Sequence, residues 1–281
     1  EGRPAPAPAL MQSAFEAMHG NPLPEEELAG LEGLCNSLRG NPMAIELAAA
    51  VLGEVNIATL QGDLAERLAT PEGGESALSH EYVVQAMLEI LWSRISREER
   101  KATRQLSVFS GIFPLEHAEE LTGSGPGLFR SLRELGVLRR LGEDRAYIPG
   151  PVRGFAFERL SELEQRLVKA RDRHSAIYMS FLESQGREMR SGNRQVAFRR
   201  IFRQRADVRK AWLWALESGR TDLVARGIDG LTAFFEAGSL FLQGVGAFEN
   251  AVELLRRLHI RSEDLDVEEL LAMAQSRLGW F

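Results

Sequence analysis

The stretch Gly40-Asn41-Pro42-Met43-Ala44-Ile45-Glu46-Leu47-Ala48-Ala49-Ala50-Val51-Leu52 decides how this chain is read. Proline lacks a backbone N–H and holds φ near the value of a first helical turn, so Pro42 opens a helix and Asn41 stands ahead of it as cap. Ile45, Leu47, Ala48, Val51 and Leu52 spread apolar surface wider than a single stripe, which calls for a helix enclosed by several neighbours. The preceding helix, around 25–38, offers Leu28, Leu31, Leu34, Cys35 and Leu38 at helical spacing as one of them.

Towards the N-terminus, three alternating Pro-Ala pairs within Glu1 to Ala9 favour an extended segment, and Leu10 to Met18 reads as a short helix. Beyond the alanine-rich helix, Ile57, Leu60, Leu64 and Leu68 mark another, so four short helices make a small bundle over 1–70. The turn-rich run Thr70 to Ser76 is a domain boundary. A second domain over 77–162 is expected to hold a helix from Tyr82 to Ile95, a capping box at Ser96-Arg97-Glu98-Glu99, and helices at Leu115 to Leu121 and Leu128 to Leu135. Strand candidates Val137 to Leu141 and Ala146 to Ile148 flank a hairpin turn at Gly142-Glu143-Asp144. Helices followed by a β-hairpin outline a winged helix. From Val152 the pattern is helical, with helices near 167–182, 196–217, 221–235, 247–259 and 267–278, and no clean internal period.

Leu34-Cys35 through Gly40-Asn41-Pro42 to Ala50 resembles the Gly-x-Pro segment of the STAND signalling ATPases, a class that includes NB-ARC proteins and bacterial transcriptional regulators with helical-repeat tails. Val108 to Phe113 followed by Leu135-Gly136-Val137-Leu138 resembles their winged-helix domain, and Arg209 to Gly219 resembles the bridge into their tetratricopeptide-like array. The resemblance implies a mainly α fold: a four-helix lid over 1–70, a winged-helix domain over 77–162, and a helical, tetratricopeptide-like segment over 163–281. It also implies that Pro42, with Asn41 and Gly40, faces the adenine side of ATP or ADP held by an upstream nucleotide-binding domain of the same protein. The chain starts at Glu1 rather than Met and ends on Leu278-Gly279-Trp280-Phe281, so it is expected to be a piece of a longer protein.

With 281 residues, 44% hydrophobic and 26% charged, the composition is that of a globular protein with room for two or three cores. The net charge of −6 argues against a globally basic nucleic-acid binder but not against a local basic face. One cysteine, Cys35, can form neither an internal disulfide nor a cysteine zinc cluster, which suits a reducing, cytoplasmic setting. No apolar run reaches the roughly 20 residues of a membrane span.

The sequence holds no Gly-x-x-x-x-Gly-Lys-Ser/Thr loop, so it supplies no phosphate cradle, and no catalytic residue is assigned. Where the family's Met-His-Asp motif contacts the diphosphate, this chain has Ile148-Pro149-Gly150, with Arg153 the nearest cation. His19, His80, His117, His174 and His259 are far apart and never at the spacing of a helical metal pair, so no metal site is assigned. The run Arg187 to Lys210 interleaves arginines with Phe198, Ile201, Phe202 and Val208, an amphipathic helix whose Arg190, Arg194, Arg199 and Arg203 are candidates for partner binding. Asp207 and Glu217 are read as partly balancing that solvated face.

The function the resemblance implies is that of a regulatory segment of a bacterial nucleotide-dependent switch or transcriptional regulator. It acts through interdomain and protein–protein contacts, with a protein or small-molecule effector read by the repeats. Two alternatives stand beside it: a winged-helix DNA-binding module, opposed by the acidic wing tip Glu143-Asp144, and a nucleotide-independent helical scaffold.

Overall fold

A computed structural model describes residues 7–69, 80–262 and 265–281. It is mainly helical, with one small sheet. The first helices are α1 (Ala7–His19), α2 (Leu28–Ser37, entered through a 3-10 turn at Glu25–Glu27), α3 (Pro42–Val51) and α4 (Ile57–Leu68). Ala7 to Ala9, expected to be extended, are helical: Pro8 sits in the first turn of α1, where its missing N–H would have had no partner. The boundary expected at 70–76 lies outside the described residues.

Next come α5 (His80–Arg94), α6 (Arg97–Leu106), α7 (Leu115–Thr122), α8 (Pro126–Glu134) and α9 (Gly150–Ser161). Strands β1 (Phe113–Pro114), β2 (Arg139–Leu141) and β3 (Arg145–Tyr147) form a sheet in the order β1-β3-β2. The hairpin is antiparallel, pairing Arg139 with Tyr147 and Leu141 with Arg145, and turns on Gly142 at φ +74°. It is shorter than expected: the Leu138 N–H donates to the Leu132 carbonyl at 3.0 Å rather than to a neighbouring strand, Val137, Leu138 and Ile148 are buried, and β1 was not foreseen. The capping box at Ser96 and Glu99 forms, and Glu99 also accepts a hydrogen bond from the Ser131 hydroxyl.

The chain ends in α10 (Glu164–Arg190), α11 (Arg194–Arg203), α12 (Arg205–Glu217), α13 (Thr221–Ala237), α14 (Phe241–Ser262) and α15 (Leu265–Trp280). The single helix expected over 196–217 is two, broken at Gln204. Continued unbroken, α11 would set Asp207 about a third of a turn away from the stripe that buries Ala197 and Ile201. After the break Asp207 is buried at 2% exposure with Val208 and Ala211, so its expected place on a solvated face is corrected.

Two compact units result, one within Glu1–Ser107 and Pro114–Glu162, the other Val108–Phe113 with Leu163–Phe281. In the first, α3 lies between α1 and α5, α4 packs on α2 and α5, and α6 packs on α7, α8 and α9. In the second, α10 packs against α11, α12 and α13. Its centre is polar. The Asp207 carboxylate accepts from the Ser110 N–H at 2.7 Å and pairs with the His174 Nε2 at 3.0 Å, both side chains being 3% exposed. Lys210 Nζ donates to the Val108 carbonyl at 2.8 Å, and the Phe109 ring meets Phe113, His174 and Tyr178. Six residues from between α6 and α7 are thereby fastened into the second unit.

Where α10 and α13 cross, backbone meets backbone. A Cβ on Gly230 would stand 2.1 Å from the Leu182 carbonyl oxygen, and one on Gly186 would stand 2.9 Å from the Gly230 Cα. Glycine is costly inside a helix, so its use here reflects the approach it permits. Gly230→Ala is expected to destabilise the protein by about 1–3 kcal/mol through overpacking. Gly246→Ala, at an exposed helical position with nothing within 4 Å of a new Cβ, should stabilise by about 0.5–1 kcal/mol. Urea titrations of the two variants should move in opposite directions.

Burial holds the His174 pKa below its ordinary 6.5, outweighing the attraction of Asp207, while Lys210 adds to the lowering. As pH falls through about 6.5 the unfolded chain takes up a proton at this residue and the folded chain does not. Stability is therefore expected to fall with pH, at up to about 1.4 kcal/mol per pH unit. Chemical denaturation between pH 6.5 and 5 should show the slope in the parent and a shallower one in His174→Gln.

Candidate functional site

The N-terminus of α3 is built by a tight reversal. Arg39 and Gly40 both have positive φ, +55° and +64°, and the Gly40 and Asn41 N–H groups donate to the Cys35 and Leu38 carbonyls at 3.0 Å each. A Cβ on Gly40 would touch nothing within 4 Å, so the left-handed backbone rather than crowding selects glycine. Asn41 then caps the helix, its Oδ1 accepting from the Met43 and Ala44 N–H groups at 2.9 and 3.1 Å. Pro42 follows as the first helical residue and is exposed, with Gly40 exposed and Asn41 partly so.

Behind that tip α3 is held firmly. Ala44, Ile45 and Leu47 through Val51 are all buried, and the His19 ring nitrogen lies 3.0 Å from the Ala49 carbonyl. Glu46, partly exposed, forms an ion pair with Arg139 of β2. A rigid helix thus presents a capped, electropositive end and an apolar ring to solvent, while its flank is tied to the hairpin. Such an end can take a flat ring against Pro42 and favours negative charge nearby.

The segment aligned with the family's diphosphate contact has another character. Ile148 and Pro149 are buried and Gly150 starts α9, so the segment offers a charged ligand no side chain. Arg153, on the first turns of α9, is partly buried.

The four candidate arginines do not share one line. Arg190 ends α10 and Arg194 begins α11, whereas Arg199 and Arg203 stand one turn apart on the outer side of α11. All four are exposed, and with Arg200 none makes an ion pair among the described residues. Val196 and Phe202, exposed at 43% and 42%, lie among them.

What sequence reasoning missed is the Ser110–Asp207–His174 centre. The available signal was a carboxylate directly beside Val208 and Ala211, in a helix whose Trp212, Ala215 and Leu216 mark a deep face. Among the described residues no group of three or more His, Cys, Asp and Glu side chains is placed to hold a metal ion, and no helix is long and apolar enough to cross a membrane. Cys35 is buried, and burial raises its thiol pKa.

Compared with protein-family models, with curated proteins and with solved structures, the chain matches none.

Asn41→Ala removes the acceptor for two helical N–H groups and is expected to cost about 1 kcal/mol. Thermal unfolding should show a lowered midpoint, while Asn41→Ser should keep most of the stability.

Proposed function

We propose that this chain is the moving, regulatory part of a STAND-class nucleotide-dependent switch. In this reading α1–α4 are the lid, α5–α9 with the three strands are a winged helix, and α10–α15 begin a tetratricopeptide-like sensor for an effector. The parent protein is then a cytoplasmic bacterial regulator whose upstream domain carries the phosphate loop and binds ATP or ADP. The chain itself is not the catalyst.

One observation carries this reading: Pro42 is exposed at a capped helix tip while the body of the same helix is buried and joined through Glu46 to Arg139 on the hairpin. A nucleotide against Pro42 would bear on a helix that cannot yield alone, so its presence would bias lid and hairpin together. The sheet order β1-β3-β2, with α7 and α8 between β1 and β2, supports the winged-helix reading.

DNA recognition by the wing is the weaker reading because its cations are engaged. Arg139 pairs with Glu46, Arg140 donates to the Glu143 carbonyl, and Arg145 lies 3.7 Å from Asp144. Loss of nucleotide dependence, the scaffold reading, draws on the buried Ile148 and Pro149 alone.

The test is calorimetric titration of ADP into the longer protein that carries the upstream domain. Pro42→Ala should weaken ADP binding by about tenfold, roughly 1.4 kcal/mol, because it deletes ring contact while Asn41 still caps the helix. Unchanged affinity would remove Pro42 from the nucleotide site.

A further inference from the structure

The run Arg187 to Lys210 holds nine basic residues against two acidic ones, in a chain of net charge −6. Of those two acids, Asp207 is buried beneath Ser110 and His174, and Glu188 accepts from the Asn193 side chain at 2.8 Å. Neither neutralises the outer side of α11. Arg199, Arg200 and Arg203 there are exposed and make no ion pair among the described residues.

The apolar content of this face distinguishes between classes of partner. Val196 and Phe202 are exposed at 43% and 42% beside Arg199 and Arg203. Phe202 is also braced: Arg205 lies 4.3 Å from its ring centre, and Phe198 stacks on it at 5.8 Å and on buried Phe234 at 5.3 Å. Held rigid, such a ring loses little entropy on contact, the property of an interface anchor. A phosphate backbone gains nothing from an exposed valine, whereas an acidic amphipathic helix gains from both surfaces. The use of arginine over lysine carries no weight in this choice, since the whole chain has three lysines.

We propose that the outer face of α11 is a docking surface for an acidic amphipathic segment of a protein partner. Carboxylates one helical turn apart on that segment pair with Arg199 and Arg203, and its apolar residues cover Val196 and Phe202. The site lies far along the chain from Pro42 and does not rest on the nucleotide reading.

The test titrates the 281-residue chain into three fluorescein-labelled probes, followed by anisotropy: a helical peptide of glutamate and leucine, polyaspartate, and random duplex DNA. The Glu/Leu peptide should bind tightest. Val196→Ser with Phe202→Ser should weaken it by about tenfold, and Arg199→Glu with Arg203→Glu should do at least as much. These side chains are exposed, so the circular dichroism of the variants should match the parent. A Lys/Leu peptide should bind the Arg199→Glu, Arg203→Glu variant better than the parent, a gain that misfolding cannot produce. Equal binding of polyaspartate, tighter binding of DNA, no binding of any probe, or no charge-swap gain would each overturn the proposal.

Discussion

A carboxylate buried in the second compact unit commits the fold to one arrangement. Asp207 is almost without solvent, and a charge so placed is tolerated only when hydrogen bonds replace its water. Two partners from distant parts of the chain meet it on α12: the Ser110 N–H and the His174 ring on α10. The packing of α12 on α10 and the seating of 108–113 therefore meet at one carboxylate. Lys210 adds a tether to Val108, and Phe109 fills the apolar space beside the pair. Burial and the charge of Asp207 also push the Tyr178 hydroxyl far above its ordinary pKa, so it stays neutral at this centre.

The two candidate surfaces are made in opposite ways. The tip of α3 is small and fixed: a left-handed turn, a double cap and a buried helix body leave Pro42 one position. The face of α11 is broad and charged, with its order supplied from below by the Phe202–Phe198–Phe234 stack. One suits a compact ligand and the other an extended partner.

Local chemistry made much of this legible in the sequence. Asn41-Pro42 announced a helix start because the cap and the missing N–H act within one turn, and Ser96 with Glu99 announced another for the same reason. Gly142 marked the hairpin turn, though not the true strand lengths, since the Leu138 N–H is taken by the Leu132 carbonyl. The arginines were visible as an outer face because periodicity shows amphipathicity. Asp207 was not legible. Its partner Ser110 is 97 residues away, and apolar spacing across Gln204 continues as it would in a single helix. Phe234, Phe235 and Phe248 are buried, while Phe241 is half exposed.

The glycine crossing of α10 and α13 has a mechanical consequence. Packed side chains can act as bearings that let helices slide by small rotamer changes, but carbonyl against Cα leaves nothing to rotate. Sliding α13 by one residue would carry Asp229 or Leu231 into the space only Gly230 fits, against the Leu182 carbonyl. The pair is locked in register, so these helices transmit displacement as a stiff couple and cannot absorb it by shear.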